Sequence, residues 1–280
     1  MNYNTRKDAP ALYHFEDEKL YGKGRTANNG EILTGDWEFY FSPGNLRSKG
    51  SYNNKGEKEN DWQYFHFDGR LKARQIFKSG KQNGEEIFYF ENGVLSSAAT
   101  FKEGTEDGQS KSYYWIGTPR VDIKMSMGKS NGERRTFFSN GGIKSSEIYK
   151  DDILEGPFKT YYNSGLLESK GNYKNGKLDG PYSVFYKNGK LSLETIYKED
   201  NLEGPAKHYH ENGKLKITEN YIAGATEGEY TEYYDNGQLF YKTFYKKGQS
   251  NGDIEYFDRD GKRLSIFTFD NDILKSVKIF

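Results

Sequence analysis

The chain has 280 residues and carries 24 Tyr, 19 Phe and 3 Trp against 17 Leu, 15 Ile and 4 Val, so packed rings rather than an aliphatic core must hold it together. Its 41 basic and 41 acidic residues balance, which removes the electrostatic footprint of a nucleic-acid or anionic-membrane binder. It has no cysteine, excluding disulfides and thiolate metal sites, and a mean hydropathy of −0.99 suits half-buried surfaces better than a thick core.

The opening residues, Met1 to Asp8, contain no apolar stretch of the signal-peptide kind, and no run in the chain approaches a membrane-spanning length. As written, the expectation is a cytoplasmic protein with no transmembrane segment. A periplasmic or cell-surface location is the alternative if a leader has been removed.

Self-similarity decides the architecture. Markers stand at Gly35, Asn60, Gly84, Gly108, Gly132, Gly156, Gly180, Gly204, Gly228 and Gly252, the first step being 25 residues and the rest 24. Nine residues after every marker comes a glycine, from Gly44 and Gly69 to Gly237 and Gly261. Five after every marker comes a ring: Tyr40, Phe65, Tyr89, Tyr113, Phe137, Tyr161, Phe185, Tyr209, Tyr233 and Phe257. Seventeen after it the column is aromatic except for Met125, and eleven after it the column is Leu or Ile except for Pro119 and Arg263.

Such a unit accommodates two strands of six to eight residues and two turns. One turn is the Asn-Gly of Glu91-Asn92-Gly93, Ser139-Asn140-Gly141, Lys187-Asn188-Gly189, Glu211-Asn212-Gly213 and Asp235-Asn236-Gly237, where Asn and Gly tolerate the positive φ of a primed hairpin turn. The other returns the chain to the next unit, as in Lys174 to Gly180 and, with Asp in the glycine place, Asp200 to Gly204. Helices fail because glycine recurs about every dozen residues. The expected fold is therefore all-β, an elongated sheet of about ten to eleven 24-residue antiparallel hairpins without internal domain boundaries.

In chain order, residues 1–34 form a divergent N-terminal cap repeat. There Tyr13 to Leu20 resembles the hairpin phrase with Glu18 in the glycine place, and Asn28-Asn29-Gly30 resembles the return turn. Residues 35–263 form the ten-hairpin array, and residues 264–280 supply capping strands for an otherwise open edge. The column five residues after the marker and the column seventeen after it are expected to share the packed face, with the sixth column on the other side.

The phrase running from Gly180 to Leu191, with a second close copy from Gly228 to Leu239, resembles the bacterial variant of the MORN repeat over roughly residues 12–275. The resemblance implies sheets of successive hairpins and no catalytic residues. Many bacterial members of that family are labelled antitoxins of the YwqK type or immunity-like proteins, and eukaryotic members are mostly scaffolds, some with proposed membrane or lipid attachment.

The residues themselves offer little chemistry. His208 and His210 stand two apart on a strand beside Glu211 and Glu232, but His66 and His210 occupy the sixth column, otherwise filled by rings such as Phe41, Tyr114 and Tyr186, and are read as ring substitutes. Carboxylate pairs such as Asp151-Asp152 fall in turns, and no phosphate loop or nucleophile arrangement occurs. We expect no enzyme, catalytic residue, cofactor or metal.

The fourth unit departs most from the pattern, with Trp115-Ile116-Gly117-Thr118-Pro119-Arg120 in place of x-Asn-Gly-x-Leu and basic residues nearby at Lys124, Lys129, Arg134, Arg135 and Lys144. Within residues 113–144 the candidate partner-binding set is Tyr114, Trp115, Arg120, Lys129, Arg134, Arg135 and Phe138. The expected partner is another protein, a toxin or an assembly subunit, and not nucleic acid. The alternatives are a scaffold role in a larger assembly and a glycan- or lipid-binding module using the aromatic rows.

Overall fold

The computed structural model describes residues 9–14, 20–42 and 44–280. Among these residues the chain is strand and turn, with one three-residue 3-10 turn at Asn28–Gly30. It divides into two compact units, residues 1–141 and 142–280.

In the first unit Ala9–His14 pairs with Leu20–Ala27, which pairs with Ile32–Tyr40, and antiparallel pairing continues strand by strand to Lys129–Phe137. Glu18 lies outside the described residues. The second unit runs the same way from Ile143–Lys150 to Ile273–Ile279. That last strand pairs with Arg263–Asp270 but leaves Ile273, Leu274, Val277 and Ile279 exposed.

The two turns differ from expectation in kind. At Asn188-Gly189 the chain makes a three-residue loop: Gly189 N–H donates to Tyr186 O at 2.9 Å and Tyr186 N–H to Lys190 O at 2.8 Å. Only Gly189 takes a positive φ, +80°, while Asn188 does not. This is a type I turn closed by a glycine bulge rather than a primed turn. At the other end of the hairpins the early return at Asn53 to Glu57 is also a glycine-bulge loop, closed by Gly56 N–H donating to Asn53 O at 3.0 Å. From Ser79-Gly80 onward the turns there are primed, as where Asn175 and Gly176 have φ of 51° and 80° between the paired Lys174 and Lys177. At the equivalent turn Glu199 and Asp200 have φ of 50° and 69°, so Asp200 does stand in the glycine place. The return turn is thus two residues long, and Gly180 is a bulge inside the following strand, with φ +108° just after Asp179 donates to Asn172 O at 2.9 Å.

The packed face also differs. Trp37 and Trp62, two residues after their markers, are 1% and 2% exposed, and Phe158 and Ala206 at the same place are buried. Small residues thirteen after the marker lie in the same layer, with Ser48, Ala73, Ser145 and Ser169 buried. The seventeenth column packs against the second: ring centroids are 5.0 Å apart for Tyr52 and Trp62, 4.7 Å for Phe158 and Tyr173, and 5.5 Å for Tyr182 and Tyr197. Burial accordingly raises the hydroxyl pKa of Tyr52, Tyr173, Tyr197 and Tyr245. The fifth column is three residues from the second and lies on the opposite face, where Lys49 sits over Phe65 at 6.0 Å and Lys170 over Phe185 at 5.9 Å. Columns five and seventeen therefore do not share a face.

Candidate functional site

Adjacent repeats are tied by side chains spaced one period apart. In the sixth column the Tyr114 hydroxyl donates to Phe137 O at 2.9 Å, Tyr162 to Phe185 O at 2.6 Å, Tyr186 to Tyr209 O at 2.6 Å and Tyr234 to Phe257 O at 3.0 Å. His66 Nε2 lies 3.2 Å from Tyr89 O and His210 Nε2 lies 2.8 Å from Tyr233 O, so each imidazole takes the place of a tyrosine, ring and polar tip alike. Asparagines in the loops form a second ladder: the Nδ2 groups of Asn92, Asn188, Asn212 and Asn236 donate to Trp115 O, Glu211 O, Asp235 O and Arg259 O at 2.7–3.0 Å.

His208 Nε2 is 3.0 Å from Glu219 Oε1, a partner in its own hairpin rather than Glu211 or Glu232. Among the described residues no three His, Asp or Glu side chains group as metal ligands, and no helix is long and apolar enough to cross a membrane.

The irregular fourth repeat keeps the regular backbone. Gly117 N–H donates to Tyr114 O at 2.8 Å, Tyr114 N–H to Thr118 O at 2.8 Å, and Gly117 has φ +91°, the same loop as at Gly189. Its side chains are what change. Ile116 occupies the place held by Asn92, Asn188 and Asn212, so the asparagine rung is absent, and Thr118 Oγ1 donates instead to Ser139 O at 2.9 Å. Trp115 and Ile116 stand 68% and 52% exposed on a loop tethered by Asn92.

Of the seven residues singled out by sequence, the structure brings Tyr114, Trp115 and Phe138 to the loop end of neighbouring hairpins. Arg120 is the second residue of the next strand, Pro119–Ser126, and is exposed. Lys129 lies beyond the far end of that eight-residue strand, roughly 25 Å from the loop at about 3.3 Å per residue. Arg134 and Arg135 are consecutive on one strand and so face opposite ways. Arg135 is held by Asp122, with Nη2 to Oδ2 at 3.0 Å, a carboxylate that also lies 4.0 Å from Lys111. The local positive charge is thus partly neutralised. Ile116 was not singled out by sequence, although its signal was present as an apolar residue in an asparagine column.

The profile of the family described as MORN repeat variant matches residues 33–54, 82–103, 130–151, 154–175, 178–199, 202–223 and 226–247. The repeat carrying Trp115 falls between matched segments. Comparison with curated proteins gives no match. Among solved structures the chain is similar to the crystal structure of TcdB2-TccC3, at 12% identity and a TM-score of 0.21, covering 93% of this chain and 18% of that one. It is similar also to the crystal structure of TcdB2-TccC3-Cdc42, at 11% identity and a TM-score of 0.19, again covering 93% of this chain and 18% of that one.

Proposed function

Because the chain belongs to the MORN repeat variant family, matched over seven of its repeats, we propose that it is a non-enzymatic repeat protein that works by binding another protein. The observation that carries this reading is the Trp115-Ile116 pair, two large apolar side chains exposed at 68% and 52% on a loop whose backbone is hydrogen-bonded like its neighbours'. In most other repeats the same loop places are polar, as in Glu91-Asn92, Lys187-Asn188 and Glu211-Asn212. Although Phe67 holds the place of Trp115 in the second repeat and is 57% exposed, its neighbour there is Asp68 rather than a second apolar residue. An exposed aromatic on a fixed loop is an economical anchor, since burying it gains apolar contact while little loop freedom is left to lose. Arg120, exposed nearby, supplies a polar rim that affects encounter more than residence.

The narrower version is an antitoxin- or immunity-like protein that occludes its partner, and its support is the family resemblance. The test is purification of the tagged protein from its native cells beside the Trp115→Ser, Ile116→Ser double variant. The reading expects a stoichiometric protein that accompanies the native chain and is lost from a folded double variant. The narrower version further expects that this protein is toxic when expressed alone and harmless when co-expressed. Equal recovery with both chains refutes the Trp115 loop as the contact.

A further inference from the structure

The first unit contains a cleft of about 580 Å³ on its packed face, floored by Trp37 and Trp62 and walled by Tyr21, Phe39, Arg47, Tyr52, Lys58 and Tyr64. Two cations in it are positioned by rings rather than by carboxylates. The Arg47 guanidinium lies 5.2 Å from the centroid of Tyr21 and 6.0 Å from that of Phe39, and its Nη2 donates to the Tyr21 hydroxyl at 3.2 Å. Lys58 Nζ lies 4.5 Å from the Trp62 ring, 5.0 Å from Phe77 and 5.3 Å from Tyr64, and donates to the Tyr64 hydroxyl at 2.7 Å.

Neither cation forms an ion pair among the described residues, unlike Lys23 with Glu38 at 2.6 Å, Arg74 with Asp61 at 2.9 Å and Lys242 with Glu255 at 3.0 Å; what sets the two apart is that both line one ring-walled cleft. Burial holds the Lys58 pKa below its ordinary value, the mark of an ammonium partly stripped of water with no counter-ion.

We infer that this cleft binds a small aromatic carboxylate, its ring against the aromatic walls and its carboxylate at Arg47 and Lys58. A cleft of this volume has room for a small molecule. Ring faces supply stacking area with a defined geometry, and the guanidinium and ammonium supply charge-assisted donors that pair with no acid among the described residues. No helix N-terminus or phosphate loop brings backbone donors, the usual means of holding a phosphate. The inference is independent of the protein-binding reading and involves a different part of the chain from Trp115.

Isothermal titration of the full chain with naphthoate and with naphthamide, the same ring system without the charge, tests it. The expected result is one-to-one binding of naphthoate, roughly tenfold or more tighter than naphthamide, as for a charge-assisted hydrogen bond gained in a partly dry site. Arg47→Gln and Lys58→Gln should each remove most of that preference while leaving naphthamide unchanged, and Lys58→Arg should retain it. Should the glutamine variants fail to fold by circular dichroism, the salt dependence of naphthoate affinity in the native chain answers the same question. No heat with either compound, equal affinity for both, or naphthoate binding indifferent to the substitutions or to salt would overturn the assignment.

Discussion

Gly50 lies beneath the Trp62 indole so closely that a Cβ on it would come 2.3 Å from Cδ2 and 2.4 Å from Cε2. The same indole donates from Nε1 to Ser51 O at 3.0 Å. One repeat earlier Gly24 stands in the same relation to Trp37, whose Nε1 donates to Arg25 O at 2.9 Å. Absence of a side chain lets each ring lie flat on the neighbouring strand and reach its carbonyl.

Gly50→Ala isolates that relation, because Gly50 is not at a positive φ and alanine meets no backbone strain there. The expected loss is about 1–3 kcal/mol, as for overpacking a tight contact, read as a lower denaturation midpoint. An unchanged midpoint would mean that the indole shifts freely, and with it the floor of the cleft.

At Gly189 the reasoning is opposite. Its φ is +80° and the nearest atom to an added Cβ is Leu166 Cδ2 at 3.9 Å, so space is ample and only the backbone objects. Gly189→Val should destabilise by about 1–2 kcal/mol, while Gly189→Asn, which enters the left-handed region more readily, should cost less. Equal melting of both variants would contradict the turn assignment.

The ladders between repeats predict small, local losses. Tyr186→Phe removes the 2.6 Å bond to Tyr209 O, and Asn188→Ala removes both the 3.0 Å bond to Glu211 O and the 2.9 Å bond its Oδ1 accepts from Lys190 N–H, each bond worth about 0.5–1.5 kcal/mol. Hydrogen exchange is the measurement that distinguishes them from a global effect, since in a repeat array the loosening should concentrate in the hairpins on either side.

Alkaline pH provides a fourth test. Burial first, and then the hydrogen bond it donates to Glu194 at 2.7 Å, push the Tyr209 hydroxyl from 10.0 up to about 12. The folded pKa exceeds the unfolded one, so the stability this group contributes is complete below pH 10 and is lost as pH rises towards 12. In Tyr209→Phe the fall in stability across that window should be shallower than in the native chain. Phenolate absorbance should show one fewer late-titrating tyrosine.

How much of this was legible in the residues follows from which features repeat in type. The 24-residue period, the all-strand fold and the places of the turns can be seen because Gly44 to Gly261 and Tyr40 to Phe257 recur without exception. Backbone needs of this kind restrict residue choice wherever they occur. The likeness of His66 and His210 to the ring column was legible for the same reason, and the carbonyls they reach explain it.

The buried layer was not legible, because the second column reads Trp37, Trp62, Glu86, Ser110, Arg134, Phe158, Tyr182, Ala206, Tyr230 and Ile254. What is buried there depends on the local partner: a tryptophan where the facing position is Gly50, a phenylalanine where it is Gly171. The distinction between the two turns likewise depends on φ values that Asn-Gly alone permits in either form.

The sequence by itself thus determined the repeat, the strand pairing and the two places where the chain turns, since each depends on backbone demands met by nearby residues. Only the tertiary structure decided which face packs, that the fourth repeat keeps its fold while exposing Trp115 and Ile116, and that Arg47 and Lys58 line one aromatic cleft with no ion pair to either among the described residues. Those outcomes depend on side-chain contacts between neighbouring strands, where shape and charge complementarity leave no periodic trace in the residues.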